Sequence, residues 1–135
     1  MKTPKNYFGA LIALAFGFLT YLGSVSCDPV DLNPDYPFTI TVKNRADSLP
    51  LANVKVEVFA PVSDSELRFE GFTDQNGRIH FEHDNNAILV VRALRGEAPN
   101  YSWIGCGEIR LKANQIAKTT VFLRPYDGNV VGCYL

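Results

Sequence analysis

Between Phe38 and Leu123 the apolar residues return at every second position, and this period of two is the strongest constraint on the fold. Phe38, Ile40 and Val42 alternate with Thr39, Thr41 and Lys43, and Val54, Val56 and Val58 alternate with Lys55 and Glu57. Leu67 and Phe69 flank Arg68, Ile79 and Phe81 flank His80, Ile109 and Leu111 flank Arg110, and Val121 and Leu123 follow Thr119. Successive side chains of a strand point to opposite faces, so each run predicts a strand with one buried side. The segment Ala87 to Ala93 is apolar almost throughout and suits a strand central in the fold. Turn residues separate the runs: Asp47-Ser48, Asp74-Gln75-Asn76-Gly77, Asp84-Asn85-Asn86, Arg95-Gly96-Glu97 and Ala113-Asn114. Beyond residue 26, no segment of ten or more residues keeps a period of 3.6, so helix is a minor component. Seven short strands at this spacing predict an all-β, seven-stranded Greek-key β-sandwich over residues 38–125.

The same residues carry a family resemblance. Thr39 to Val58 runs through Asp47, Leu49-Pro50-Leu51 and Asn53-Val54. It is followed by Phe72-Thr73-Asp74-Gln75-Asn76-Gly77-Arg78-Ile79-His80-Phe81 and then by Ala87-Ile88-Leu89-Val90-Val91-Arg92-Ala93. This order resembles the carboxypeptidase regulatory-like domains, which are transthyretin-like sandwiches common in exported bacterial proteins. In that family a D-x-G-x-P-L-x-G-A-x-V segment precedes a T-D-x-x-G-x-F-x-F hairpin. Two departures stand out: Ser48 and Leu49 lie where a turn glycine is usual, and Asn53 replaces a small residue. The resemblance implies a transthyretin-like sandwich and names no catalytic residue.

The first 26 residues read as a targeting signal. Lys2 and Lys5 precede the apolar run Phe8 to Leu22, and small residues follow at Gly23-Ser24-Val25-Ser26. A positive start, a short apolar run and small residues at a cleavage point define a secretory signal peptide, expected here to be helical. The apolar run falls short of the roughly 20 residues that span a bilayer. Ser24-Val25-Ser26-Cys27 resembles a bacterial lipoprotein signal, with Ser24 where leucine is usual. The resemblance implies cleavage before Cys27 and lipidation of that cysteine. Two or more acyl chains hold a protein stably at a membrane without spanning it. The expected location is the bacterial cell envelope, at the outer membrane.

Removing residues 1–26 leaves 109 residues with 11 basic and 14 acidic side chains, a net charge of -3. That balance gives no argument for nucleic acid as partner, since no basic excess is present to neutralise phosphates. Residues 27–37 have three prolines and three aspartates and no period, so they read as an extended tether. With Cys27 lipidated, Cys106 and Cys133 form an even pair in an oxidising context. A bridge between them would pin the tail, residues 126–135, and stabilise by roughly 3 kcal/mol through the unfolded state. The competing reading is two unpaired thiols.

Chemistry-bearing residues are sparse. His80, Glu82, His83 and Asp84 form the one cluster of metal-ligating types, with His80 and Glu82 on one strand face. Their spacing matches neither H-E-x-x-H nor an H-x-E followed by P-C-x-x-C, so a polar outer face is the expectation and no metal is assigned. Asp74 to Gly77 begins like a calcium loop but lacks the distal glutamate. No G-x-S-x-G occurs, and no nucleophile can be matched with a base. The end Gly132-Cys133-Tyr134-Leu135 differs from the Tyr-Arg-Gly-Ser of transthyretin-like hydroxyisourate hydrolases. The expectation is therefore no catalytic residue, no cofactor and no enzymatic role. Tyr101 and Trp103, in the segment Asn100 to Gly107, are read as lying on a long connection between strands. They are the candidate binding surface for a protein or a sugar; the bland alternative folds Trp103 over the open end of the sandwich beside a disulfide. The expected function is a lipid-anchored envelope module that binds or scaffolds another envelope protein. Carbohydrate binding through Tyr101 and Trp103 is the first alternative, and a small hydrolase is the second.

Overall fold

The computed structural model describes residues 34–128 and Cys133. The signal peptide, Cys27, most of the tether and, apart from Cys133, residues 129–135 lie outside the described residues. The described chain is all-β, with seven strands: β1 (Tyr36–Asn44), β2 (Lys55–Phe59), β3 (Arg68–Phe72), β4 (Arg78–His83), β5 (Ile88–Glu97), β6 (Asn100–Arg110) and β7 (Ala117–Pro125). Each of the seven runs overlaps one of them, although Ile109 to Leu111 marks only the end of β6. The tether is shorter than expected, because Tyr36 and Pro37 already pair with His83 and Glu82.

Hydrogen bonds join all seven strands in one mixed sheet of order β3-β2-β5-β6-β7-β1-β4. Here the structure differs from two separately bonded sheets. The link is narrow: β6 and β7 share only the pairs Trp103↔Pro125 and Ile104↔Arg124. β7 then leaves β6 and runs parallel to β1, from Phe38↔Ala117 to Asn44↔Leu123. Gly105 and Gly107 explain the crossing. A Cβ on Gly105 would lie 2.7 Å from the Phe122 carbonyl oxygen and 2.7 Å from Val121 Cγ1, so only glycine lets β7 pass this close.

The sheet curls until its edge strands face each other. Phe69 of β3 and Phe81 of β4 have ring centroids 5.6 Å apart, and each lies within 5.5 Å of the Phe38 ring. Phe38, Ile40, Val42, Val54, Val56, Val58, Leu89, Val91, Ala93, Ile109, Leu111, Val121 and Leu123 form one buried cluster inside the curl. These are the inward positions of the alternation, and each fully buried side chain of this size contributes about 1.5–3 kcal/mol.

Two turns show why particular residues stand where they do. Ser48 and Asn53, the two departures from the family pattern, both adopt positive φ, at 59° and 54°. Ser48 thus takes the left-handed conformation that a turn glycine would supply, with Asp47 Oδ1 accepting from the Leu49 N–H at 3.0 Å. In the Thr73-to-Gly77 motif the buried Thr73 hydroxyl accepts from the Val54 N–H and donates to the Leu51 carbonyl. Asp74 accepts from the N–H groups of Asn76 and Arg78, each at 2.8 Å. These bonds, that from Arg78 foremost, hold the Asp74 carboxyl below its ordinary pKa. Gly77 has φ 68°, and a Cβ there would lie 2.7 Å from the Val42 carbonyl oxygen. Gly77→Val therefore combines backbone strain with a backbone clash, and we expect a loss of about 2 kcal/mol, read as a lowered urea midpoint with unchanged slope.

Candidate functional site

The outward positions of the strands make two faces of different character. On β3-β2-β5 the cross-strand row Glu70–Glu57–Arg92 runs beside Lys55 and Arg68. Glu57 alternates outward, yet it is only 3% exposed. Its Oε1 lies 2.9 Å from Lys55 Nζ and 3.2 Å from Arg68 Nη2, while Oε2 accepts from Arg92 Nε at 2.8 Å and also from Arg92 Nη2. Arg92 lies 5.5 Å over the Phe59 ring, and Arg68 also donates to Glu70 at 2.7 Å. Burial alone would raise the Glu57 pKa. Hydrogen bonds from Lys55 and Arg92, with their charges, outweigh it and hold the carboxyl below its ordinary value. A carboxylate saturated by three cations is a poor general base, so this cluster reads as a structural lock. Sequence reasoning placed Glu57 on a solvated face. The available signal was Arg92, a lone cation inside the apolar run Ala87 to Ala93.

The outer face of β4-β1-β7 is different. Its rows are His80–Thr39–Lys118 and Arg78–Thr41–Thr120, followed by Lys43 beside Phe122. Thr39 is buried and its hydroxyl hydrogen-bonds His80 Nδ1 at 2.8 Å. A cleft of about 370 Å³ opens here, lined by Thr39, Thr41, Arg78, His80, Ile116 and Lys118 among others. A second cleft lies where β7 crosses from β6, with Arg45, Thr120, Phe122 and Arg124 on its walls beside Cys106. Lys118 of the first cleft and Thr120 of the second are successive outward residues of β7, and Lys43 follows Thr41 on β1, so Arg78, Lys118, Lys43, Arg45 and Arg124 lie along one cationic surface. Among the described residues none of these five forms an ion pair, whereas Lys55, Arg68 and Arg92 are all committed to Glu57.

Tyr101 and Trp103 are not on a loop: both lie in β6, which pairs with β5 over its whole length, so the expected connection is a strand. Both are half-buried, and Trp103 packs against the core, so its ring is not presented as an open platform. The β5–β6 pairing continues past a register shift at Arg95/Gly96 as far as Glu97↔Asn100. Cys106 of β6 and Cys133 are joined with Cα atoms 5.4 Å apart, which brings Cys133 onto the outer face of the sheet. Reducing this bridge is expected to lower stability by roughly 3 kcal/mol, read as a drop in Tm on adding reductant that a Cys106→Ser, Cys133→Ser double variant does not show. His80, Glu82, His83 and Asp84 do not converge. Among the described residues no three His, Cys, Asp or Glu side chains are placed to hold a metal ion.

No protein-family model and no curated protein matches the chain. Among solved structures it is similar to the dioxygenase domain of a dioxygenase–carbohydrate-binding protein fusion from the cellulolytic bacterium Streptomyces sp. SirexAA-E. The identity is 13% and the TM-score 0.48, over 76% of this chain and 86% of that one. The expectation of no enzymatic role is corrected against this neighbour, a domain of an enzyme. At this level of similarity the likeness assigns no oxygenase chemistry to the present chain.

Proposed function

We infer that the chain is an exported β-domain, held at the bacterial cell envelope through a lipid on Cys27, that binds or scaffolds another envelope protein. The observation that carries this reading is the pairing of Cys106 with Cys133. Disulfides persist in oxidising compartments. The pairing also leaves Cys27 as the third cysteine, directly after the small residues that close the apolar signal. The finer fold reading is a transthyretin-like Greek-key sandwich with layers β4-β1-β7 and β3-β2-β5-β6; the Thr73-to-Gly77 hairpin and the inward core of both layers support it. The outer membrane is the proposed site.

Fractionation of a bacterium expressing the full chain tests this. Mass spectrometry is expected to find an acylated Cys27, and crosslinking in native membranes to recover one partner in stoichiometric amount. Cys27→Ser is expected to move the protein into the soluble fraction. If that variant stays membrane-bound after a high-salt wash, the anchor reading fails.

A further inference from the structure

We propose that the outer face of β4-β1-β7 binds an acidic saccharide, one whose sugar rings carry carboxylates. The inference does not depend on the anchor at Cys27 or on a protein partner.

Charge distribution is the first argument. Residues 38–125 are close to neutral, with 11 basic and 10 acidic side chains, yet Arg78, Lys118, Lys43, Arg45 and Arg124 gather along one surface with no ion pair among the described residues. The acids near these cations are Glu82, beside Pro37 at the end of the β1–β4 ladder, and Asp74, which accepts from the Arg78 N–H and lies within reach of its charge. Cations gathered on one face of a near-neutral domain make a field that selects an anion.

What stands between the cations is the second argument. Arg78 pairs with Thr41, and Lys118 pairs with Thr39, the next outward residue of β1. Strand spacing then puts their backbones about 12 Å apart on the diagonal, a span that leaves room for a ring between the two charged heads. The gap is filled by groups that both donate and accept: the Thr41 and Thr120 hydroxyls, and His80, whose Nδ1 is engaged by Thr39 and whose Nε2 is left over. Such groups suit the hydroxyls of a sugar ring. Guanidinium and ammonium at the two ends suit carboxylates on successive rings. Exposed Ile116 and half-buried Pro37 give an apolar wall for a ring's C–H face.

A nucleic acid fits less well. The cationic surface is short, and no aromatic ring in the Arg78–Lys118 cleft is exposed for base stacking. The expected carbohydrate surface therefore moves from Tyr101 and Trp103 to Arg78, His80 and Lys118.

The test is titration of the full chain, purified in detergent, with trigalacturonate, followed by calorimetry and by amide chemical shifts. Saturable binding is expected, with shifts on β1, β4 and β7. It should weaken several-fold between low and high salt, as screening of exposed charges requires. Arg78→Gln and Lys118→Gln should each weaken it by about five-fold, the equivalent of an exposed charge pair of ~1 kcal/mol, with unchanged Tm. Lys112→Gln, away from the cleft, should leave it unaltered. The proposal is overturned if trigalacturonate does not bind, if neutral maltotriose binds equally well, or if the Arg78→Gln, Lys118→Gln double variant binds normally. It is also overturned if only inorganic phosphate or only anionic phosphatidylglycerol vesicles bind at these residues.

Discussion

Replacing Phe38 by alanine is expected to cost the domain about 3–5 kcal/mol, the range for deleting a buried aromatic side chain. Phe38 is 1% exposed and is the one ring in contact with both edge strands. Its centroid lies 5.5 Å from that of Phe69 on β3 and 5.4 Å from that of Phe81 on β4. No ladder of hydrogen bonds joins β3 to β4, since they are the two ends of the strand order. The curl is therefore closed there by side chains, and removing the shared ring leaves a cavity that two separate edges line. For a domain of this size the loss corresponds to a fall in Tm on the order of 15 °C or more. Phe38→Leu, which keeps most of the volume, should recover most of it. A thermal melt of Phe38→Ala within a few degrees of the parent would show that the edges are held by something else.

Glu57→Ala is expected to cost about 3–4 kcal/mol near neutral pH, the lower part of the range for breaking a buried ion pair. The cost falls at that end because Lys55 and Arg92 keep 29% of their side-chain surface in water and Arg68 keeps 49%. What remains after the substitution is three neighbouring cations without their shared acceptor. The pH dependence has a definite sign. The Glu57 carboxyl is held below its ordinary value in the folded protein, so its stabilisation is complete above the unfolded-state value of about 4.3. It is lost as pH falls further through the folded value. Asp74 is shifted in the same direction and adds to the loss. Urea unfolding at a series of pH values should show stability falling in acid, more steeply in the parent than in Glu57→Gln. Parallel curves would mean that Glu57 is not the linked group.

Much of this architecture is legible in the sequence. Seven strands and nearly every core residue follow from alternation, because a strand with one buried face must write that face into its sequence. The part of β6 before Ile109 escaped for a tertiary reason. Between Trp103 and Ile109 its inward positions are Gly105 and Gly107, where β7 passes at backbone distance, so the apolar signal is absent where the strand is most closely crossed. The two clusters of charge were hidden differently. Glu57 reads as solvated until Lys55, Arg68 and Arg92 arrive from three strands. The Arg78–Thr41–Thr120 row exists only once β1 lies between β4 and β7. Single-strand periodicity gives the face of a residue but not its cross-strand neighbours. Lipid attachment belongs to a third category, since Cys27 lies outside the described residues and the fold does not bear on it.

The parallel ladder between β1 and β7 has a consequence for how such a chain is made. The opening strand of the domain rests against the closing one, so most of the polypeptide must be looped out before that ladder can form. Contacts so distant along the sequence are slow to acquire, because chain entropy is lost before the pairing energy is regained. A chain still emerging from a ribosome or a translocation pore has β1 but no β7 to receive it. The ladder therefore stays open until the last strand is released, and the domain is completed only then.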